Sequence, residues 1–471
     1  MTDKSCDIGL AGLGVMGKNF ALNMADKGFR VGVYNRTGEK TRGFMKEEVG
    51  HRPIEAGYSL EAFAGILKKP RGVLIFVPAG DPVDEVISEL VVNLESGDLI
   101  IDSGNSHFKD TNRRGESLLK EGILFLGMGV SGGEYGARHG PSLMPGGSEE
   151  AYKRVRSILE ASAARVNGEP CVTYLGPRSA GHYVKMVHNG IEYGIMQLIA
   201  ESYDLLRRGL GLDVDRLRSI YEKWNSGKLS SYLIEITARV LGRKDDKTGE
   251  PLVDMIVDCA RQKGTGKWTS WDALDLQSPV PTIDVAVAMR NMSDSKEKRR
   301  EASHALSGPS ESFKGDRDTF VQELEKGLFA AVLITYAEGM SLLRQASLSY
   351  GYNLDMEAVA RIWRGGCIIR AALLEDIRSA FQNQPDLKNL TLSPHLSKEL
   401  MEAQAYLRRV VCSGAELGIP VPGLMSALAY YDAYRSAQLP ANLIMAQRDY
   451  FGAHRYERID AEGTFHTEWE S

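Results

Sequence analysis

Ile8-Gly-Leu-Ala-Gly-Leu-Gly-Val-Met-Gly17 decides how the first third of the chain is read. Its apolar start, Ile8 to Ala11, has the length and composition of a buried strand, and Val15 to Asp26 has the pattern of a helix. Between them lies Gly12-Leu-Gly14-Val-Met-Gly17, a G-x-G-x-x-G run in the strand-to-helix context that gives an otherwise weak motif its meaning. Gly12 permits the tight turn and Gly14 lets backbone N–H groups approach a pyrophosphate. Gly17 lets helix and strand pack closely, and Leu13, Val15 and Met16 complete the expected cofactor-binding loop. Gly12 to Lys18 also fits the G-x-x-x-x-G-K of a P-loop. Asn19, however, stands where that loop needs Ser or Thr for magnesium, so a nucleotide hydrolase or kinase is the weaker reading.

Outward from this segment, the apolar runs Val31 to Tyr34, Val73 to Val77, Leu99 to Ile101 and Ile123 to Leu126 alternate with helical patterns. That rhythm predicts an α/β Rossmann-type domain with a parallel sheet over residues 1–178. The second run ends in Tyr34-Asn35-Arg36-Thr37, where an NAD site usually places an acidic residue on the ribose hydroxyls. Arg36 reverses that charge and can pair with a 2′-phosphate, with Asn35 and Thr37 as neutral partners, so the expected cofactor is NADP.

From about Ser179 the strand signals fade and 3.6-residue periodicity takes over, predicting an all-helical domain over 179–435. This part repeats itself: Glu201-Ser-Tyr-Asp-Leu-Leu-Arg207 answers Glu338-Gly-Met-Ser-Leu-Leu-Arg344, an offset of 137 from 201 to 338. Leu212-Asp213 answers Leu354-Asp355, and Trp224-Asn-Ser-Gly227 answers Trp363-Arg-Gly-Gly366. So long a period points to two packed bundles, not a solenoid. Residues 436–471 form a polar, aromatic tail without an amphipathic stripe, which would fray unless it docks on something.

Composition narrows the function classes. With 43% apolar and 25% charged residues the 471-residue chain is ordinary globular protein, and its net charge of −5 argues against a nucleic-acid surface. Five scattered cysteines (Cys6, Cys171, Cys259, Cys367, Cys412) without a C-x-x-C pair suggest a reduced compartment. The N-terminus has no apolar h-region, and no run approaches the roughly 18 apolar residues of a membrane span. A cytoplasmic protein without membrane partners is expected.

In the first long helical stretch, Gly181 to Arg208, the residues Lys185, His188, Asn189, Glu192 and Tyr193 share one face. His, Asn and Tyr are mediocre helix formers, an odd choice for a merely solvated stripe. The repeat supplies an internal control: its matching positions are Gln322, Glu325, Lys326, Phe329 and Ala330, so the stripe is not needed to build the unit. A Lys near apolar surface and a ring cation can lose its proton and act as base, while a partly buried Glu can keep its proton and act as acid. The pair fits oxidation of a hydroxyl followed by protonation of carbon, with no metal-ligand constellation beside it.

These residues resemble a known family. Gly12 to Asn23 is similar to the β-hydroxyacid dehydrogenase fingerprint, and nearly the whole chain resembles the 6-phosphogluconate dehydrogenase family. The resemblance rests on Asn35-Arg-Thr37, Asp102-Ser-Gly-Asn105, Gly129-Val-Ser-Gly-Gly-Glu134, Lys185-Met-Val-His-Asn-Gly-Ile-Glu-Tyr193, Lys263-Gly-Thr-Gly-Lys-Trp268 and Arg448-Asp-Tyr-Phe-Gly-Ala-His454. It implies oxidative decarboxylation of 6-phosphogluconate with NADP: Lys185 is the base for oxidation at C3, CO2 is lost, and Glu192 protonates C1 of the enediol to give ribulose 5-phosphate. Asn105, Ser131, Gly132, Gly133, His188, Asn189 and Tyr193 would hold the sugar acid, and Lys263, Arg290, Arg448 and His454 its phosphate. Val77, Pro78, Ala79 and Asn105 would border the nicotinamide half. The resemblance also implies a homodimer in which the tail carries Arg448 and His454 into the partner subunit.

Three positions depart from the family pattern: Pro78, Arg261 and Gly14, where many members have a longer polar residue, a small residue and Ala. Pro78 leaves only a backbone contact there. Two alternatives stay open from sequence: a β-hydroxyacid dehydrogenase that does not decarboxylate, against which Lys263 and Arg448 speak, and an NADP-binding regulator without turnover, against which the Lys185 and Glu192 pair speaks.

Overall fold

The computed structural model describes residues 5–309 and 312–470; positions 1–4 of the N-terminal stretch read above lie outside them. Seven strands form the first sheet: β1 (Ile8–Ala11), β2 (Val31–Tyr34), β3 (Ile54–Ala56), β4 (Gly72–Ile75), β5 (Leu99–Asp102), β6 (Leu124–Val130) and β7 (Leu143–Gly147). Their order is β3-β2-β1-β4-β5-β6-β7, parallel except for β7, which runs antiparallel to β6. Strands β1, β4 and β5 are buried along their whole length, which is why they read as unbroken apolar runs. Helices α1 (Val15–Asp26), α2 (Gly38–Glu47), α3 (Leu60–Gly65), α4 (Asp81–Val91), α5 (Phe108–Lys120), α6 (Gly133–His139) and α7 (Glu149–Ser162) accompany the sheet. The strand order reverses between β1 and β4, and the crevice at their carboxyl ends is where such sheets bind ligands.

After two short paired strands, β8 (Arg165–Val166) and β9 (Glu169–Pro170), the chain turns helical: α8 (Ala180–Asp204), α9 (Val214–Asn225), α10 (Tyr232–Leu241), α11 (Thr265–Asp275), α12 (Pro281–Asp294) and α13 (Lys296–Ala305). Then follow α14 (Arg317–Tyr350), α15 (Met356–Trp363), α16 (Leu373–Asn383), α17 (Pro394–Glu416), α18 (Pro422–Tyr434) and α19 (Ala441–Gly452), with a final hairpin of β10 (Tyr456–Glu457) and β11 (Thr464–Phe465). The molecule is thus a Rossmann-type domain followed by a large helical domain.

The repeat takes physical form. Helices α8 to α12 and α14 to α18 run in the same order, and α8 and α14 start 137 residues apart, at Ala180 and Arg317. Asp213 and Asp355 cap α9 and α15 in the same way, each accepting from the N–H three residues on. Helices α12 and α18 each begin with a proline, which fits a first turn because its N–H would be unpaired anyway.

The copies are locked crosswise. Glu201 of α8 accepts from Gly423 N (2.7 Å) and Leu424 N (2.9 Å) at the start of α18. Glu338 of α14 accepts from Thr282 N (3.1 Å) and Thr282 Oγ1 (2.6 Å) at the start of α12. Each buried carboxylate satisfies N–H groups that the other copy's helix leaves unpaired. Burial nevertheless pushes the Glu201 carboxyl up to about 7, against these hydrogen bonds, and lifts Glu338 well above its usual value.

Helix α14 is long and apolar enough by average composition to cross a bilayer, although no unbroken apolar run in it approaches that length. Of that apolar window 89% is buried inside the protein, where α14 packs against α8 and α17. A helix enclosed on all sides needs no polar stripe.

Candidate active site

The loops leaving β1, β4, β5 and β6 gather at one edge of the sheet. In the first, Gly12 has φ +107°, and a β-carbon there would lie 2.3 Å from the Phe76 carbonyl oxygen, so no other residue fits the turn. Gly14 opens α1 with free space beside it, no side-chain cap and no acidic residue in the first turn. The unpaired N–H groups of that turn therefore face a cleft ready for anionic groups, and the residues present fit a dinucleotide.

Asn35 does more than was read from sequence. Its Oδ1 accepts from Leu13 N (3.0 Å), bracing the glycine loop, and its Nδ2 donates to the Thr37 carbonyl. Thr37 opens α2, and Arg36 stands exposed, paired with Glu85 of α4 at 3.0 Å. An exposed pair of this kind is worth little, so a phosphate can take Arg36 from it.

The next two loops are tied together by a network that sequence reasoning missed. Asp102, at the end of β5, is fully buried; it accepts from Ser106 Oγ (2.6 Å), Gly104 N (3.1 Å) and Arg114 Nη1 (3.3 Å). Arg114 of α5 also donates to the Gly80 carbonyl (3.0 Å) and to Asp84 (2.8 Å). The Arg114 hydrogen bond holds the Asp84 carboxyl at about 2, despite partial burial. One guanidinium thus fixes the loop holding Val77, Pro78 and Ala79 relative to the loop holding Asn105.

Helix α8 reaches this edge because glycines let it. Gly127 and Gly129, two apart on β6, face the same side of the sheet. A β-carbon on Gly181 would sit 2.3 Å from the Gly127 carbonyl oxygen, and one on Gly129 would sit 2.3 Å from Lys185 Cβ. The helix therefore lies directly on the strand. Nineteen of its 25 residues are buried, so the polar stripe is an interior feature and not a solvated face.

In that interior, Lys185 is 6% exposed, with Nζ 3.4 Å from His188 Nδ1. His188 is wholly buried, its Nε2 3.2 Å from Ser131 Oγ and its Nδ1 3.1 Å from Asn189 Oδ1. Burial, and then the neighbouring Lys185, push His188 well below its ordinary value, so the ring is neutral. Burial also draws Lys185 down from the usual ammonium range, opposed by the charge of Glu192. Glu192 is pushed upward by burial, opposed by Lys185 and Arg290. Lys185 and Glu192 are thus brought toward each other in proton affinity, an arrangement suited to proton transfer in both directions.

Arg290 of α12 lies over the Tyr193 ring, 3.7 Å from its centroid, and Lys263 precedes α11; both face the cleft. The cleft holds about 1070 Å³. Gly14 to Gly17 and Val77 to Ala79 line one end, Asn105 and Ser131 to Gly133 the middle, and Lys185, Asn189, Glu192, Tyr193, Lys263 and Arg290 the helical wall. His188 lies beneath that wall. Arg448 and His454 are not brought there: they sit on α19 and just beyond it, in a largely exposed arm.

Other lining residues escaped the sequence reading. His107, which caps α5, and Trp268 of α11 both line the cleft and meet edge to face at 5.0 Å. Ile368 enters from the loop after α15, whose Gly366 presses on Gly132. Trp268 closes a motif already quoted, so its pattern was visible; Ile368 had no local signal.

Comparison with known proteins agrees with this architecture. Residues 7–176 match the model of the NAD binding domain of 6-phosphogluconate dehydrogenase, and residues 181–469 match the 6-phosphogluconate dehydrogenase C-terminal domain. The chain is 52% identical to the NADP(+)-dependent, decarboxylating 6-phosphogluconate dehydrogenase of Bacillus subtilis over 98% of both chains. It is 50% identical to the decarboxylating enzyme of Schizosaccharomyces pombe over 98% of this chain and 96% of that one. The solved 6-phosphogluconate dehydrogenase of Plasmodium falciparum, studied as apo form and with NADP+ and 6-phosphogluconate, superposes with a TM-score of 0.95 at 46% identity, covering 98% of this chain and all of that one. The chain belongs to the 6-phosphogluconate dehydrogenase family.

Proposed function

We propose that this protein oxidises and decarboxylates 6-phosphogluconate to ribulose 5-phosphate and CO2 with NADP. The observation that carries the reading is the pair of buried Lys185 and half-buried Glu192, one turn of α8 either side of a neutral His188, facing a cleft that begins at the glycine loop. NADP, when bound, accepts a hydride from C3 of the substrate. Its diphosphate would lie on the N–H groups of α1 and its 2′-phosphate at Arg36, with Asn35 and Thr37 beside it.

Lys185, whose proton affinity desolvation lowers, takes the C3 hydroxyl proton as hydride leaves, which gives a 3-keto acid. As ammonium, Lys185 then stabilises the oxygen that gains charge while the C1 carboxylate departs as CO2. Glu192, whose proton affinity burial raises, delivers a proton to C1 of the resulting enediol. Ser131, Gly132, Gly133, His188, Asn189 and Tyr193 hold the carboxylate and hydroxyls, and Asn105 lies between sugar and nicotinamide. Lys263 and Arg290 meet the phosphate, since a sugar acid phosphate carries about three negative charges and needs several cations.

In this reading residues 1–178 bind cofactor, 179–435 bind substrate, and 436–471 form an arm. The arm exposes Leu443, Ile444, Tyr450 and Phe451 and leaves Arg448 and His454 outside its own chain's cleft. A homodimer in which each arm completes the partner's phosphate site accounts for both facts.

The test mixes the protein with NADP and 6-phosphogluconate labelled at C1, follows reduced nicotinamide by absorbance, and traps CO2. Equal amounts of both products are expected. Reduction with no labelled CO2 would leave a simple hydroxyacid dehydrogenase, and NADP binding with no reduction would leave a regulator.

A further inference from the structure

The arm poses a mechanical problem. Helix α19 has 12 residues, nearly all exposed, and an isolated helix of that length is marginal in water. Yet the proposed reading needs Arg448 and His454 held in fixed places outside any support from their own chain's body.

The arm carries its own solution in Asp449, which is wholly shielded from solvent although its neighbours Arg448 and Tyr450 are exposed. Its carboxylate accepts four hydrogen bonds, all from residues of the arm: Arg455 N (2.9 Å), His466 Nδ1 (2.9 Å), Thr467 N (3.0 Å) and Trp469 Nε1 (2.9 Å). Its own carbonyl accepts from Ala453 N (2.9 Å), ending the helix, and both Ala453 and Arg455 adopt left-handed conformations there. The chain thus turns sharply at Gly452 to Arg455 and folds its last residues back over the end of α19. The turn presents His454, and the residue before the carboxylate is Arg448. Burial works against ionisation of Asp449, but the four donors outweigh it and hold the carboxyl well below the usual carboxylate range.

We propose that Asp449 is a positioning residue: by gathering residues 455–469 around its carboxylate it fixes Arg448 and His454 as one rigid phosphate-binding unit. This rests on the reading that the arm serves the partner's phosphate site. The side chain touches no substrate. It acts by removing the freedom of the two residues that do, the usual way a supporting shell raises affinity.

The test compares Asp449→Asn, His466→Ala, Trp469→Phe and Arg448→Ala as full-length enzymes. Asn offers the four donors only one oxygen and brings an N–H of its own. Expected for Asp449→Asn is a KM for 6-phosphogluconate raised at least about tenfold, with kcat at saturation changed less than about threefold. NADP affinity and sedimentation as a dimer should be unchanged, and so should kcat/KM for unphosphorylated gluconate. His466→Ala and Trp469→Phe should each show a smaller rise.

A raised KM in Arg448→Ala with normal values in the other three would overturn the clamp and leave the arm's role intact. A normal KM in Arg448→Ala would overturn the arm reading itself. Should Asp449→Asn lose only dimerisation and recover its KM at high protein concentration, Asp449 holds the subunits together and the positioning role is wrong.

Discussion

Gly129 meets the stem of Lys185 at a distance that leaves no room for a methyl group: a β-carbon there would lie 2.3 Å from Lys185 Cβ. Strand β6 therefore sets the height of Lys185 above the cleft. Gly129→Ala should displace Lys185 and its helix by about 1 Å and lower kcat by about 100-fold, the scale of a misplaced catalytic group. The glycine loop lies elsewhere, so NADP affinity should stay within about twofold. Titration of NADP beside steady-state kinetics checks both, and an active Gly129→Ala would show that the base tolerates movement.

Lys185 and Glu192 hold each other's proton affinity. The Glu192 charge raises the Lys185 value against the lowering by burial, so Glu192→Gln removes that support and makes Lys185 easier to deprotonate. The rising limb of the pH profile for the first turnover should move to lower pH. Steady-state release of ribulose 5-phosphate should fall by about 100-fold or more because C1 has lost its acid, while the single-turnover burst of reduced nicotinamide persists. Lys185→Met should abolish the burst and leave NADP binding intact. Rapid-mixing absorbance across a pH series separates the cases.

Arg36 and Glu85 form an exposed pair at 3.0 Å, with side chains 73% and 54% accessible. Such a pair contributes about 0–1 kcal/mol, less than a guanidinium gains from a phosphate. Arg36→Ala should raise the KM for NADP about tenfold to 100-fold and leave that for NAD unchanged. Glu85→Ala should tighten NADP by no more than about fivefold. Parallel kinetics with the two nucleotides decide.

Glu201 links pH to stability. Burial raises its folded value from 4.5 to about 7, so the folded state holds a proton that the unfolded chain has released. That contribution is complete below about pH 4.5 and is lost as pH rises through about 7. Glu201→Gln cannot ionise, so the melting temperature of the variant minus that of the wild type should be more favourable at pH 8 than at pH 5, by roughly a few degrees. Calorimetry at the two values tests the sign.

Legibility in the sequence followed burial. Strands β1 and β2 begin and end where the apolar runs Ile8 to Ala11 and Val31 to Tyr34 do, because strands covered on both faces need nothing else. Strand β7 was invisible: Leu143-Met-Pro-Gly-Gly147 reads as a turn, and only its place at the sheet edge lets Pro145 and two glycines pair as a strand. The stripe from Lys185 to Tyr193 was legible because helix geometry alone puts those residues together. The bond from Leu13 to Asn35 and the link of Asp102 and Asp84 through Arg114 were not, since each joins separate loops that only the folded sheet brings close. The tail reads as lacking anchors because polar and ring contacts within it, those of Asp449 foremost, stand in for an apolar stripe.

The crossed carboxylates bear on the order in which the chain can mature. Glu201 sits about two and a half turns beyond Glu192 on the same helix, yet its partners Gly423 and Leu424 lie 222 and 223 residues downstream. During synthesis the glycine loop and its sheet can assemble early, from neighbours close in sequence. The helix that bears Lys185 must wait with an uncovered carboxylate until α18 has emerged. A ribosome therefore completes a nucleotide-binding platform long before it completes a catalyst, and a chain released short of α18 would be left with the former alone.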